Sequence, residues 1–352
     1  PIKDEIYFNK EPHRDSKTDP EAARVQYSHR GLNVYASFDE VIILNQVHRV
    51  RQKTGDLTEE DRTYNERGQR FLAVMKRLRD CTWTREDYYW LCTLKLAQRT
   101  LAEKASFAQA PTIMEFRKER ENDSANDSCE AYNRHQLYLL AKETNLPVAR
   151  ITAYHETTDK HTHKELAALS EENFNGLPNE IDLCEGAPIL YTHNLWVDAG
   201  LMNGTRGIIR AIVYRYGDRP DHVDPRCRLP HVILVECPTY EGPPFFNTTA
   251  FPDRQKWVPF FPRRVEMEND RTISRTQYSI VLAWALTPWK AQGMSLDKVV
   301  VKLGAAASKP GVAFVALTRA RHPDGLALDE FPAMSVFQLS LIHISEPTRP
   351  LT

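Results

Sequence analysis

The sequence predicts an α/β protein, a parallel sheet with helices, interrupted by a small β-rich module. The runs YSIVLAWALT (278–287) and DKVVVKL (297–303) are almost continuously apolar, as strands buried on both faces of a parallel sheet are. Between residues 58 and 95, apolar side chains recur at helical spacing. From residue 181 onward, short β-forming runs are separated by Gly, Pro and Asp, which is typical of a small barrel or meander.

Composition restricts the class of protein. The 352 residues are 41% apolar and 26% charged, as expected of a globular protein with one large or two ordinary domains. The longest apolar run, residues 280–286, is too short to span a bilayer, and no charged-then-apolar leader opens the chain, so no membrane or secretory role is expected. The net charge of −1 excludes a uniformly basic coat but leaves room for a local basic track.

The cysteines and histidines do not predict a metal site. No two cysteines form a C-x-x-C pair, so we interpret them as reduced thiols of an intracellular protein. The segment HETTDKHTHKE (155–165) lacks a cysteine or acidic partner at a familiar metal-ligand offset, and we expect a solvated polar loop there. The residues concerned are Cys81, Cys92, Cys129, Cys184, Cys227, Cys237, His155, His161 and His163.

Both ends of the chain are unusual. The sequence opens at Pro1 without methionine, which suggests a fragment, and residues 1–37 have the polar, aperiodic character of a connector. FDEVIIL (38–44) is a short β-branched run. Residues 339–352 resemble the translated end of a sequencing adapter, so we interpret them as an artefact and exclude them from the fold.

Two capping signals mark the start of a predicted helical hairpin. Thr58 is followed three residues later by Asp61, and Thr84 by Asp87, the pattern of a capping box. The apolar stripes behind these caps are interpreted as core. They comprise Phe71, Leu72, Met75 and Leu78 in the first helix and Tyr88, Tyr89, Leu91 and Leu94 in the second.

The remaining elements follow in chain order. DSANDSCEAYNRHQLYLLA (123–141) predicts a loop entering a helix, and ARITAY (149–154) predicts a strand. Short strands are then expected at APILYTH, TRGIIRAIVYRY, HVILVEC and KWVPFF. We therefore expect the α/β domain to begin in 38–180, the β-rich insertion with its flanks to occupy 181–275, and the α/β domain to end in 276–332.

Five segments in this order resemble the second half of a Pif-type, RecD-like DNA helicase of superfamily 1. They are LNQVHR (44–49), EAYN (130–133), LCEGAPILYTHNLWVDAGLMNGTRGII (183–209), LAWALTPWKAQGMSLDKVVV (282–301) and VAFVALTRARHPDGLAL (312–328). The resemblance covers roughly residues 38–328, and the last two segments are its most specific part. It implies a RecA-like C-terminal helicase domain with an inserted small β-barrel of the SH3 kind.

The resemblance also implies the cations of an ATP site. Arg319 in VALTRAR matches the family's arginine finger, and Arg49 matches the arginine of its fourth motif. A planar, permanently charged guanidinium suits a phosphoryl group in fork geometry. A helix-surface salt bridge is the alternative for Arg319, and Arg51 is an alternative candidate for the role of Arg49.

The turn TPWKAQG is implied to face both nucleotide and DNA. Gln292 and Gly293 match the family's K-x-Q-G, in which glycine allows close backbone approach. Thr287 and Lys290 would contact DNA phosphates. Trp289 stands where the family usually has histidine, and base stacking and core packing are equally open for it.

A second turn, GLMNGTRG (200–207), matches the family's entry into the barrel. Gly204 and Gly207 fit a tight turn, while Asn203 and Arg206 either cap it or meet a DNA strand. We count both among the candidate DNA-binding residues.

The implied function is ATP-dependent translocation along single-stranded DNA in the 5′ to 3′ direction, as in genome-maintenance helicases and rolling-circle transposons. None of the 14 glycines precedes a lysine, so the phosphate loop, and with it most of the ATP and Mg²⁺ site, is expected in a missing first motor domain. The chain alone is expected not to hydrolyse ATP. The implied partners are single-stranded DNA and duplex junctions, and a nuclear location follows if the source is eukaryotic.

Three alternatives stay open. LALDEF (326–331) resembles a strand ending in a magnesium-binding Asp-Glu, but its position after the arginine motif favours an ordinary strand end. The chain also fits the helicase end of a conjugative relaxase or of a recombination nuclease subunit. The third is a non-enzymatic nucleic-acid clamp.

Overall fold

The computed structural model describes residue 37 and residues 49–80, 82–117, 128–157, 162–267, 269–304 and 311–334. Almost all of these residues lie in one compact unit, Val50–Thr352. The run at 38–44, the tail at 339–352 and nearly all of the predicted connector lie outside the described residues.

The described residues begin with three helices, and most of the strands follow later in the chain. The helices are α1 Glu59–Arg79, α2 Arg85–Cys92, α3 Leu101–Ser106, α4 Cys129–Thr144, α5 His163–Ala168, α6 Pro288–Ala291 and α7 Val312–Leu317. The strands are β1 Thr112–Met114, β2 Ala149–Thr152, β3 Tyr154–Thr157, β4 Glu180–Leu183, β5 Pro188–Tyr191, β6 Arg206–Val213, β7 Val232–Glu236, β8 Trp257–Phe260, β9 Arg263–Met267, β10 Asp270–Gln277, β11 Ile280–Leu282, β12 Ala285–Leu286, β13 Val299–Lys302 and β14 Leu326–Glu330.

A parallel four-stranded sheet forms the α/β part, in the order β12-β1-β13-β14. The predicted strand in DKVVVKL is confirmed, because β13 lies inside this sheet with Val299 and Val301 fully buried. Helices α1 and α7 pack against the sheet, and Phe71 and Leu317 share its apolar core. No helix among the described residues is long and apolar enough to cross a bilayer.

The predicted helical hairpin begins where its caps indicate. Thr58 and Thr84 each accept a hydrogen bond from the backbone N–H three residues on, and both capping boxes are complete. Arg77 of α1 donates to Asp87 of α2, with Nε to Oδ2 at 2.8 Å. Local sequence therefore fixes both helix starts, and an ion pair ties α2 to α1.

The rest of the structure is antiparallel. One sheet has the order β11-β5-β6-β7-β8, a second has the order β3-β10-β9, and β2 pairs with β4. The strands expected at APILYTH, TRGIIRAIVYRY, HVILVEC and KWVPFF are confirmed as β5 to β8. The antiparallel sheets also use β2 and β3 before residue 181 and β11 after residue 275. The pairings among the described residues include none between β11 and β8, so closure into a barrel stays a prediction.

The prediction of one parallel strand across YSIVLAWALT is wrong. Ile280–Leu282 pairs antiparallel with β5, whereas Ala285 and Leu286 pair parallel with β1. The chain changes sheets at Ala283 and Trp284, so both halves of the run are apolar for different reasons. Apolar composition alone does not distinguish a strand buried in one sheet from a run shared between two.

The prediction of a solvated loop at HETTDKHTHKE is wrong for His155. This residue lies in β3 and is buried, and its Nε2 accepts a hydrogen bond from Arg275 Nε at 2.8 Å. Arg275 is itself fully buried, lies 4.2 Å from the Phe174 ring, and donates to the carbonyls of Leu166, Leu169 and Leu177. One histidine of this polar segment, His155, is therefore part of the buried interior.

Candidate nucleic-acid interface

The TPWKAQG turn follows β12 at the carboxyl end of the parallel sheet. Thr287 is the N-cap of the short helix α6, its hydroxyl accepting from Lys290 N, and Pro288 occupies the first helical position. Gln292 ends the helix, and Gly293 turns the chain with φ +85°. No atom lies within 4 Å of the Cβ that Gly293 lacks, so its backbone faces open space.

The GLMNGTRG turn connects β5 to β6. Gly204 occupies the left-handed region at φ +95°, which confirms a turn there. Gly207, in contrast, lies inside β6 opposite Ile189, and a Cβ there would meet Val235 at 2.4 Å. The side chain of Asn203 is exposed, and Arg206 is half-buried at the first position of β6.

These two turns meet across one cleft of about 1470 Å³. The cleft lies between the α/β part and the antiparallel part, and it is open to solvent. The predicted residues on its walls are Asn203, Arg206, Trp289, Lys290, Gln292 and Gly293. Trp289 is 40% exposed, so core packing does not use its whole ring.

Two cations of the cleft have lowered pKa values, although only Arg206 has a buried nitrogen and the side chain of Lys290 is exposed. Arg206 Nε is buried and finds no hydrogen-bond acceptor in the described part of the chain, and burial lowers the pKa of Arg206. The pKa of Lys290 is also lowered, first by its partly desolvated position in this concave surface and then by the nearby charge of Arg117. An anion that enters the cleft would stabilise the charged forms of Arg206 and Lys290 and so offset the cost of desolvating them.

Two predicted site residues of the unit Val50–Thr352, Thr287 and Arg319, do not line this cleft. Thr287 is buried and lines an adjoining cavity of about 260 Å³, which shares Arg117, Glu171 and Lys290 with the cleft. Arg49 is half-buried and belongs to the other compact unit of the chain. Arg319 lies behind the cleft wall.

Arg319 is buried and directed at backbone oxygens. Its Nε donates to Val315 O at 2.7 Å, and its Nη1 lies 3.4 Å from the carbonyls of Ala291 and Met294. Those two carbonyls flank Gln292 and Gly293. Arg319 therefore ties the end of α7 to the turn that forms the cleft wall, an arrangement different from the exposed salt bridge considered as its alternative.

The sequence does not predict that Arg117 and Glu171 belong to the cleft. Arg117 follows β1, and Glu171 begins the short 3-10 segment Glu171–Phe174. They are 54 residues apart and form an ion pair in the structure. No local pattern marks either residue, since their pairing depends on how the two parts of the fold meet.

The described residues contain no group of three or more His, Cys, Asp or Glu side chains arranged to hold a metal ion. The Asp-Glu of LALDEF ends β14 at the edge of the parallel sheet, where Asp329 is exposed and Glu330 pairs with Lys302 at 3.3 Å. This placement favours the ordinary strand end.

Comparison with known proteins finds similarity to helicases that carry the name Pif1. Residues 169–212 match the family described as DNA helicase Pif1, 2B domain. The ATP-dependent DNA helicase PIF1 of Xenopus laevis is 34% identical over 176 residues, covering 49% of this chain and 24% of that protein. The Homo sapiens protein of the same name is 31% identical over 151 residues, covering 43% of this chain and 19% of that protein.

A solved structure shares the fold. The crystal structure of Pif1 helicase from Candida albicans aligns with a TM-score of 0.52 and 22% identity over 78% of this chain and 54% of that chain. The aligned parts thus span about a quarter or less of the curated relatives and about half of the solved structure. The likeness supports the RecA-like helicase fold for the parallel sheet and its helices.

Proposed function

This chain is homologous to the Pif1-type DNA helicases of superfamily 1, and from that premise we propose that it is the DNA-gripping, C-terminal motor part of an ATP-dependent helicase. The observation that carries the proposal is that two separate turns contribute Arg206, Trp289 and Lys290 to the walls of one cleft. Cations give affinity for phosphates without sequence preference, and an exposed indole offers a stacking surface to a base. Single-stranded DNA is the ligand that uses both.

The proposed DNA track comprises the residues of the cleft walls. Arg206 and Lys290 would contact phosphates, Trp289 would stack on a base, and Asn203 would hydrogen-bond the strand. Thr287 would act from behind as the cap of α6, which sets the position of Lys290. A closed SH3-like barrel formed by the antiparallel strands would carry Asn203 and Arg206.

The nucleotide-dependent part of the proposal rests on Arg319 and Arg49. In the longer protein both would reach the γ-phosphate of ATP, with Mg²⁺ held mainly by another domain, and stabilise the charge of the transition state. Arg319 contacts the carbonyls on either side of Gln292 and Gly293. Movement of its guanidinium toward a phosphate would release this turn, coupling nucleotide state to DNA grip and to 5′ to 3′ stepping.

Binding of single-stranded DNA tests the first part of the proposal. We expect the 352-residue chain to bind a fluorescein-labelled oligothymidine, with an affinity that falls linearly with salt on logarithmic axes. Arg206→Gln should reduce that slope by about 0.7, the loss of one phosphate contact. Fluorescence anisotropy between about 50 and 200 mM salt measures both quantities.

Arg210→Gln is the matched control, because Arg210 is in the same strand but its guanidinium pairs with Glu236. It should leave the slope nearly unchanged. Absence of binding, or equal effects of the two substitutions, contradicts the proposed DNA cleft.

ATP turnover tests the second part. We expect no hydrolysis by the 352-residue chain. In a protein extended upstream with a phosphate-loop domain, Arg319→Lys should reduce DNA-stimulated turnover by on the order of a thousandfold. Arg226→Lys is the control, since Arg226 pairs with Asp224 on the surface and lines neither the cleft nor the adjoining cavity. If Arg319→Lys retains its turnover, Arg319 is not an arginine finger. If the isolated chain hydrolyses ATP, a second domain is not required for hydrolysis.

A further inference from the structure

Arg117 connects the two walls of the cleft. Its Nε lies 3.0 Å from Glu130 Oε1 at the start of α4, on the side of the parallel sheet. Its Nη2 donates to the carboxylate of Glu171, within the segment 169–212 that matches the 2B domain. The same guanidinium therefore holds one carboxylate from each side.

The Arg117–Glu171 pair lies where the cleft and the adjoining cavity meet. Both residues line both spaces, and Lys290 lines both as well. The side chains of Arg117 and Glu171 are 47% and 28% exposed, so solvent and ligands reach the pair. Arg117, Glu171 and Glu130 are close enough to Lys290 to shift its pKa.

We propose that Arg117 is a phosphate-binding residue of this cleft, and that the carboxylate of Glu171 occupies its outer face while no nucleic acid is bound. This inference rests on the proposed DNA function and adds a residue and a competitor to it. A phosphate of a single strand would replace Glu171 on Arg117 beside Lys290.

The exchange follows from the chemistry of the two anions. A guanidinium binds carboxylate and phosphate oxygens with the same planar fork. A partly exposed ion pair contributes little to stability, so a multiply bound strand displaces it readily. Glu130 stays in place, since it belongs to the same wall as Arg117 and lies in the first turn of α4, where the helix dipole favours its charge.

Two consequences distinguish displacement of Glu171 by phosphate from a model in which Glu171 is only a negative charge on the surface. Glu171 lowers the affinity for single-stranded DNA because its pair with Arg117 must break first. The contribution of Arg117 to binding is therefore partly hidden in the wild type and becomes complete when Glu171 no longer competes.

The first experiment compares two neighbouring carboxylates. Glu171→Gln should tighten binding of the labelled oligothymidine by about fivefold. This factor corresponds to the interaction energy of one partly exposed ion pair. Glu172→Gln is the matched control, because Glu172 carries the same charge on the next residue, is exposed and does not line the cleft. Equal affinities of the two variants overturn the proposal. The melting temperatures of both variants, compared with that of the wild type, check that each variant retains the fold.

The second experiment is a double-mutant cycle. Arg117→Gln should cost more affinity in the Glu171→Gln background than in the wild type. Equal costs in both backgrounds mean that Glu171 acts only through general charge, and this also overturns the proposal. If no variant binds the oligothymidine, the proposed DNA function fails and this inference fails with it, whereas binding by the wild type without coupling rejects the inference alone.

Discussion

At the scale of single residues, position 293 requires glycine because of its backbone conformation. Neighbouring atoms would leave room for a side chain there. The φ of +85° at Gly293 lies in the left-handed region, where a side chain costs about 1 kcal/mol or more, although no atom lies within 4 Å of a Cβ built there. The exposed backbone at this turn is therefore available to a ligand. The predicted reason for the glycine, close approach of the backbone, is compatible with this geometry.

The Gly293→Ala variant should be less stable by about 1 kcal/mol, because alanine must adopt the same positive φ. Gly304→Ala is the control, since a Cβ at Gly304 also meets open space and its φ lies outside that region. Urea unfolding compares the two. Equal stabilities would mean that the turn relaxes to a conformation that alanine tolerates.

Arg275, in contrast, is a charged residue that is required because of its buried hydrogen bonds. Burial lowers its pKa to about 10, yet four acceptors surround the guanidinium. Arg275→Met should destabilise the fold by about 3 kcal/mol, because it leaves those buried acceptors without donors. Arg271→Met, in the exposed part of the same strand, should change stability little. Similar urea midpoints for the two variants would contradict this role.

At the scale of elements, α1 and α2 depend on one carboxylate. Asp87 closes the capping box of α2 with Thr84 and accepts from Arg77 of α1. Hydrogen bonding from Arg77 is the largest cause that holds the pKa of Asp87 below its ordinary value of 3.8. Since the folded pKa is depressed, the stabilisation is complete above the unfolded value and disappears as pH falls through the folded one.

Asp87→Asn should therefore lower the free energy of unfolding by about 2 kcal/mol near neutral pH. The difference from the wild type should shrink as the pH falls below 3.8, the ordinary pKa of the unfolded carboxyl, and should be lost as the pH falls through the lower pKa of the folded one. Urea unfolding at a series of pH values measures it. Glu86→Gln, which removes an exposed charge one residue away, should show no such pH dependence. A difference that persists at the lowest pH would assign the effect to shape and not to charge.

The elements that sequence predicted best are those whose determinants are local. Thr58 and Thr84 specify helix starts through partners three residues away, and β5 to β8 follow from short β-forming runs separated by turn residues. The run 278–287 predicts one strand of one sheet, because no local signal shows that its two halves pair with partners distant in sequence, β5 and β1. The pairing of Arg117 with Glu171 is equally non-local, so motif matching found the cleft residues on the turns but not this pair.

At the scale of the molecule, the cleft depends on how its two parts are joined. The chain passes from β11 in the antiparallel sheet to β12 in the parallel sheet within two residues. Asn133, from the EAYN segment, is buried beside this crossing. Its Nδ2 donates to Ala285 O at 3.0 Å and lies 3.4 Å from Leu282 O, and its Oδ1 accepts from Ala285 N at 2.8 Å. One amide thus fixes the last carbonyl of β11 and the first residue of β12.

Asn133→Ala tests whether this crossing sets the geometry of the cleft. Alanine suits helix α4 at least as well, so any loss comes from the unpaired backbone groups of Leu282 and Ala285, and should reach about 2 kcal/mol. Because α6 and its Lys290 follow β12 directly, the affinity for oligothymidine should also fall by several-fold, which anisotropy measures. His135→Ala, on the exposed face of α4, should leave both quantities unchanged. Lost stability with unchanged DNA affinity would mean that other contacts hold the two walls together, so that Asn133 supports the fold without setting the width of the cleft.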